Sequence, residues 1–141
     1  MATVLLDTTV ASFLHPRKKG TAERLRYEPH LAGNTLALSF QSVAELFFWS
    51  EENRWGVEQR LALDGFLRRF LVVPYDVDLS RTWARVMSHA KSVGRRLEAG
   101  DGWIAATAVH RGIPLLSHDR DFVHLALSGL EVICYAGPEG E

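Results

Sequence analysis

The stretch Gly100 to Phe122, GDGWIAATAVHRGIPLLSHDRDF, constrains the fold more than any other part of the chain. Ile104, Ala105, Ala108 and Val109 recur at helical spacing and give one apolar face. Gly112 follows the last of them, where a left-handed residue that ends a helix favours glycine. Pro114 forbids further helix, and Leu115-Leu116 is short and fully apolar, as a buried parallel strand would be. Acids mark both ends: Asp101 opens the helix, and Asp119 with Asp121 closes the strand. A helix running back antiparallel to its strand brings those ends to one edge of a sheet.

The same alternation runs through the chain. Ala2 to Leu6, Thr35 to Leu38, Leu71 to Val73 and Glu131 to Tyr135 read as further strands. Helices are expected over Thr8 to Leu14, Thr21 to His30 (Ala22, Leu25 and Arg26 in register), Phe40 to Glu52 after Ser39 as N-cap, and Val57 to Phe70. The helix Val57 to Phe70 would carry Leu61, Leu63, Phe66, Leu67 and Phe70 inside. Asp78 reads as the cap of a helix over Leu79 to Val93, with Leu79, Trp83, Val86, Met87 and Ala90 facing in. A short helix over Phe122 to Leu127 precedes the last strand, and the tail GPEGE is polar. Short strands alternating with longer helices imply βαβ units: an α/β fold of one domain over residues 1–141, in three layers, with a central parallel sheet of four to five strands. Right-handed crossovers put the strand C-termini on one edge, where open α/β sheets bind ligands.

Four acids fall at or near that edge. Asp7 follows the first strand, Asp119 the fourth, Asp121 lies two residues on, and Asp101 begins a helix. Glu45 lies about one and a half turns into a helix among Val43, Ala44, Leu46 and Phe47, where a carboxylate is rarely buried without a partner. Each has a plain structural reading. Asp7 and Asp119 could be N-caps, Asp101 a first-turn acid, and Glu45 half of a capping box with Ser42. Asp121 is expected to cap or stabilise the last helix. Together they say more. Two carboxylates about 4 Å apart repel by roughly 4 kcal/mol at an effective dielectric of 20. Converging acids therefore spread, take up protons or hold a cation, and an all-oxygen set suits Mg²⁺ or Mn²⁺. No rival set competes: the six histidines show no metal spacing, and neither a nucleophile elbow nor a phosphate-binding glycine loop follows a strand.

VLLDTTV at the start, SVAEL at Ser42 to Leu46, GDGWIAATA at Gly100 to Ala108 and LLSHDRDF at Leu115 to Phe122 resemble the four motifs of PIN-domain nucleases. Their order, spacing and total length resemble the toxin ribonucleases of prokaryotic VapBC toxin–antitoxin pairs. The resemblance implies a metal-dependent endoribonuclease using Mg²⁺, with Mn²⁺ as a substitute, and a water that attacks an RNA phosphodiester in line. It implies that Asp7, Glu45, Asp101 and Asp119 are catalytic, and that Asp7, Asp101 and Asp119 hold metal with Asp121 as accessory acid. Thr8 or Thr9 and Ser117 match polar positions that steady the acids or a metal-bound water. Thr9 stands where Asn or Ser is frequent, and Ser117 where Thr is frequent. The implied partners are an RNA substrate, a small antitoxin that blocks the site and a second copy of the chain in a homodimer.

The net charge of −1 makes the whole molecule no magnet for nucleic acid, so phosphate binding needs local patches. Arg17 and Lys18, in a basic loop with His15 and Lys19, and Arg95 with Arg96 before Asp101 are the candidates. Trp103 could stack a splayed base, with packing under its helix as the simpler reading. Phe47, Phe48, Trp49 and Trp55 exceed what one helix face can bury. Phe47 reads as core, and Phe48 and Trp49 as a partner groove. The lone Cys134 reads as an inert buried thiol. No apolar run approaches 18 residues and no signal-peptide pattern opens the chain, so a soluble cytoplasmic protein is expected, away from membranes. Two rivals remain. A metal-dependent phosphatase would want a lysine near the later acids, and none follows Lys91. A non-catalytic RNA-binding module is opposed by the intact acid set.

Overall fold

The computed structural model describes residues 2–15 and 20–137. The basic loop from Pro16 to Lys19, with the candidates Arg17 and Lys18, and the tail from Pro138 lie outside the described residues. In chain order the elements are β1 (Thr3–Leu6), α1 (Thr8–Ser12), α2 (Ala22–Leu31), β2 (Thr35–Ser39), α3 (Phe40–Glu52), α4 (Val57–Leu67), β3 (Leu71–Val73), α5 (Val77–Ser92), α6 (Ala99–Arg111), β4 (Leu115–Ser117), a 3₁₀ segment (Arg120–Ser128) and β5 (Val132–Cys134).

The strands form one five-stranded parallel sheet in the order β3-β2-β1-β4-β5. β1 is central, with Leu5 beside Leu115 and Leu6 beside Leu116. The chain steps outward from β1 through β2 to β3, then returns to β1's other side for β4 and β5. β1 and β4 therefore flank the point where the winding reverses, the place at the strand C-termini where open α/β sheets bind ligands. Asp7 leaves one side of it and Ser117 the other.

Alternate strand residues divide the core. Leu5 and Leu115 join Leu79, Val86, Ile104, Ala105 and Phe122 on the α5–α6 face. Leu6 and Leu116 join Val10, Tyr27, Leu31 and Leu46 on the other. Two glycines set how closely α6 sits. A Cβ on Gly102 would lie 2.4 Å from Met87 Sδ and 2.8 Å from Trp83 Nε1, and one on Gly100 2.8 Å from Gln41 Nε2. The helix is pressed on both sides of Asp101, against α5 and against α3.

Several boundaries differ from the sequence expectation. α1 ends at Ser12, and Phe13 and Leu14 are buried in the turn beyond it. The cap of α5 is Asp76, not Asp78: Leu79 N–H donates to Asp76 Oδ1 at 2.7 Å, which draws Val77 and Asp78 into the first turn. α4 stops at Leu67, and Leu61 is exposed where it was expected inside. In α2 the inward residues are Tyr27 and Leu31, while Leu25 faces solvent. Phe47 is 43% exposed and is not core. Cys134 is only half-buried, because β5 is an edge strand. Among the described residues no helix is long and apolar enough to cross a membrane.

Gly112 ends α6 at φ 65°, in the left-handed region, and a Cβ there would meet nothing within 4 Å. Gly112→Ala therefore carries backbone strain without a steric clash. The expected loss is about 1–2 kcal/mol of unfolding free energy in urea denaturation, with the fold unchanged by circular dichroism.

Candidate active site at the switch point

Asp7 is the first residue after β1 and is 4% exposed. Its Oδ1 accepts from Val10 N–H at 2.7 Å, so it does cap α1. Its Oδ2 accepts from the Ser117 hydroxyl at 2.6 Å and from His118 N–H at 3.2 Å. The end of β4 thus supplies two donors to the acid that ends β1. Ser117 is fully buried, and its oxygen also accepts from Asp119 N–H at 2.9 Å.

Glu45 lies on α3 and faces the same edge. Thr8 Oγ1 is 2.9 Å from Glu45 Oε1 and 2.9 Å from Ser42 Oγ. A carboxylate only accepts, so the Thr8 proton goes to Glu45 and the Ser42 hydroxyl serves Thr8. Gln41 Nε2 donates to the other oxygen, Oε2, at 3.0 Å. Ser39 caps α3 as expected, so the alternative of a capping box between Ser42 and Glu45 does not form. Thr9 is exposed, so of the two candidate threonines Thr8 is the one that touches an acid.

Asp119 caps the 3₁₀ segment by accepting from Asp121 N–H at 2.9 Å. The cap is therefore Asp119, and Asp121, expected to cap or stabilise this segment, sits exposed in its first turn, where an acid favours the helix N-terminus. α6 begins at Ala99, not at Asp101. Gly102 N–H already bonds Glu98 O at 2.9 Å, which leaves Asp101 in the first turn. Its carboxylate makes no hydrogen bond among the described residues.

A family model described as PIN domain matches residues 4–127. This chain belongs to the PIN domain family. It is 33% identical to "VapC ribonuclease Y4jK" of Sinorhizobium fredii over 92% of this chain and 95% of that protein. It is 38% identical to "Ribonuclease VapC5" of Mycobacterium tuberculosis, over 53% of this chain and 56%, a little over half, of that protein. Among solved structures, VapBC-5 of Mycobacterium tuberculosis, a member of the VapBC family of toxin–antitoxin systems, superposes with a TM-score of 0.72. The identity is 28%, over 95% of this chain and 99% of that one.

In this PIN domain the acids act on one another. Burial is the first cause that pushes Asp101 up to about 6, followed by the charges of Asp119, Glu45, Glu98 and Asp7. Burial also raises Asp7, against the lowering effect of its bonds to Ser117, Val10 and His118. Among the described residues no three His, Cys, Asp or Glu side chains close into a ready cage. The acids are near enough to penalise each other's ionisation, and their donor set is all oxygen. Such a set fits a hard divalent cation.

Glu98, Gln41 and Tyr27 contribute without having been singled out in the sequence, and Ser42 does so in another role than the cap it could have been. Glu98 adds a charge one turn before Asp101. Gln41 and Ser42 hold Glu45 and Thr8. Tyr27 reaches the end of β4 from α2. Only Glu98 carried a signal, its spacing of three from Asp101. Trp103 is packed, stacked on Trp83 with ring centres 5.1 Å apart and edge-on to Phe40 and Tyr75. Arg95 and Arg96 are exposed in the segment that leads into α6.

Asp101 ties stability to pH. Between its ordinary 3.8 and about 6, the folded protein keeps a proton that the unfolded chain gives up. This favours folding at the acid end and is lost as pH rises through about 6. Without divalent ions, the melting temperature of Asp101→Asn relative to wild type is expected to rise from pH 5 to pH 7.5. Scanning calorimetry at both pH values checks this, and a constant difference would contradict it.

Proposed function

We propose that this chain is the toxin ribonuclease of a toxin–antitoxin pair and hydrolyses RNA phosphodiesters with a divalent cation, Mg²⁺ or Mn²⁺, at the acidic crevice. The observation that carries the reading is the convergence of Asp7, Glu45 and Asp119 on Asp101, whose carboxyl is raised first by burial and then by these charges. The match to the VapC ribonuclease of Sinorhizobium fredii over 92% of this chain supports it.

Asp7, Asp101 and Asp119 would hold the cation, with Asp121 beside them. When bound, it would neutralise charge developing on the phosphoryl oxygens and make water a better nucleophile. The chain's own groups set the geometry. Asp7 is fixed from both sides by Val10, Ser117 and His118. Glu45 has both oxygens engaged by Thr8 and Gln41, which orients it as an acceptor for a water proton. Hydrolysis adds water across the P–O3′ bond and leaves a 5′-phosphate and a 3′-hydroxyl. The attacking water loses one proton and the leaving oxygen gains one. Arg95 and Arg96, exposed before α6, offer charge for the RNA backbone.

Two partners complete the reading. Phe48 is 60% exposed on α3, and Val57 and Leu61 are exposed on α4. With Phe47 and Trp49 they leave apolar surface that a soluble domain rarely presents without a partner. An antitoxin segment is the proposed occupant, and a homodimer the proposed state of the toxin.

Purified protein incubated with total RNA and Mg²⁺ is expected to cut it, with 5′-phosphates at mapped ends and full inhibition by a chelator. Asp7→Asn, Asp101→Asn or Glu45→Gln should each lower cleavage by at least about a hundredfold while keeping the circular-dichroism spectrum. Near-normal cutting by any two of them would sink the assignment. Separately, Phe48→Ala with Trp49→Ala is expected to weaken antitoxin capture in a pull-down and leave cleavage intact. Unchanged capture would remove that surface from the interface.

A further inference from the structure

The end of β4 is held in an unusual way. β4 and β5 pair in parallel with Leu115 beside Val132 and Ser117 beside Cys134. In this register Leu115 N–H donates to Glu131 O at 2.9 Å. Parallel pairing then calls for a later rung in which Tyr135 N–H donates to Ser117 O. No Tyr135 N–H to Ser117 O bond of ordinary geometry closes that rung. The Tyr27 hydroxyl stands in its place, 2.7 Å from Ser117 O and 3.0 Å from Tyr135 N.

The hydroxyl's capacity is fully used. A carbonyl only accepts, so the phenol proton goes to Ser117 O. The phenol oxygen accepts from Tyr135 N–H. It also lies 2.7 Å from His118 Nδ1, which must therefore carry the proton of that bond. The His118 ring is further held edge-on to Phe13 and Tyr27, at 5.2 and 5.7 Å between ring centres. Tyr27 itself is fully buried on α2, and Tyr135 packs edge-on to it at 5.0 Å.

We propose that Tyr27 is a positioning residue: its hydroxyl replaces the last rung between β4 and β5 and so aims the Ser117 hydroxyl and the His118 amide at Asp7. Both donors to Asp7 Oδ2 come from the two residues that Tyr27 grips. With the rung closed directly, β4 would run on against β5, and its end would turn away from β1. The inserted oxygen holds the two strand ends apart at the edge where the acids gather. The wedge rests on the acid-site reading for its functional consequence, but not for its geometry.

Tyr27→Phe separates positioning from packing. The ring is kept and the hydroxyl lost, and the freed Tyr135 N–H and Ser117 O can bond each other, so the fold survives. The expected result is a melting point within a few degrees of wild type. The His118 amide should exchange its hydrogen at least tenfold faster while that of Tyr135 stays protected. Mn²⁺ binding, read by electron paramagnetic resonance, should be about tenfold weaker. Leu63→Ala, a core truncation on α4 away from the crevice, should lower the melting point and leave His118 exchange and Mn²⁺ binding unchanged. Unaltered His118 exchange in Tyr27→Phe overturns the wedge, as does a parallel change in Leu63→Ala. If wild type fails to bind Mn²⁺, the metal reading falls, and the exchange result alone decides for or against the wedge.

Discussion

A carboxylate that leaves the central strand of a sheet with almost no contact with water must find donors within its own fold. Asp7 finds them on two elements. Val10 turns back to one oxygen, and Ser117 and His118 reach the other from the neighbouring strand. The start of α1, the end of β4 and the crevice between them are thereby locked together. Removing these donors would leave a buried charge unpaired, a larger loss than any one hydrogen bond contributes. Burial still prevails over the donors in setting its proton affinity, since Asp7 remains raised.

The approach of α6 to α3 works in the same direction. Gly100 removes the side chain that would hold the helix off Gln41, as Gly102 does against Met87 and Trp83 of α5, and Asp101 between them feels the charges of Asp119 and Glu45. Close packing and electrostatic strain are therefore one arrangement. Any larger residue at Gly100 meets the Gln41 amide that orients Glu45. Stability is set against the proposed function here, because burial and then the charges of Asp119, Glu45, Glu98 and Asp7 raise Asp101, and all of these acids but Glu98 are proposed to carry the chemistry.

Capping and catalysis are not rival readings of these acids. Asp7 and Asp119 each cap a helical segment, and in doing so each is pinned at the edge of the crevice. A cap uses one oxygen. The second oxygen of Asp7 ties β1 to β4, and Asp119 is left one oxygen directed by no cap. By contrast, the aromatic groups around Trp103 form a packed cluster, whereas Phe47, Phe48 and Trp49 remain outside any core.

Local chemistry wrote the strands, the Ser39 cap and the Gly112 stop into the sequence, because each depends on a few adjacent residues. The positions of the acids at strand and helix ends were legible for the same reason, and the alternation of strand and helix dictated a parallel sheet. Asp76 in place of Asp78, and Asp119 in place of Asp121, show where local rules leave two nearby acids equal and geometry chooses. What only the tertiary structure decided are the contacts between residues far apart in the chain. Tyr27 meets Ser117 across 90 positions, Ser117 meets Asp7 across 110, and Thr8 meets Glu45 across 37. A hydroxyl gives no periodic signal, and its partner is fixed only when the strands have taken their order. Sequence placed the acids, and the order β3-β2-β1-β4-β5 brought them to one crevice.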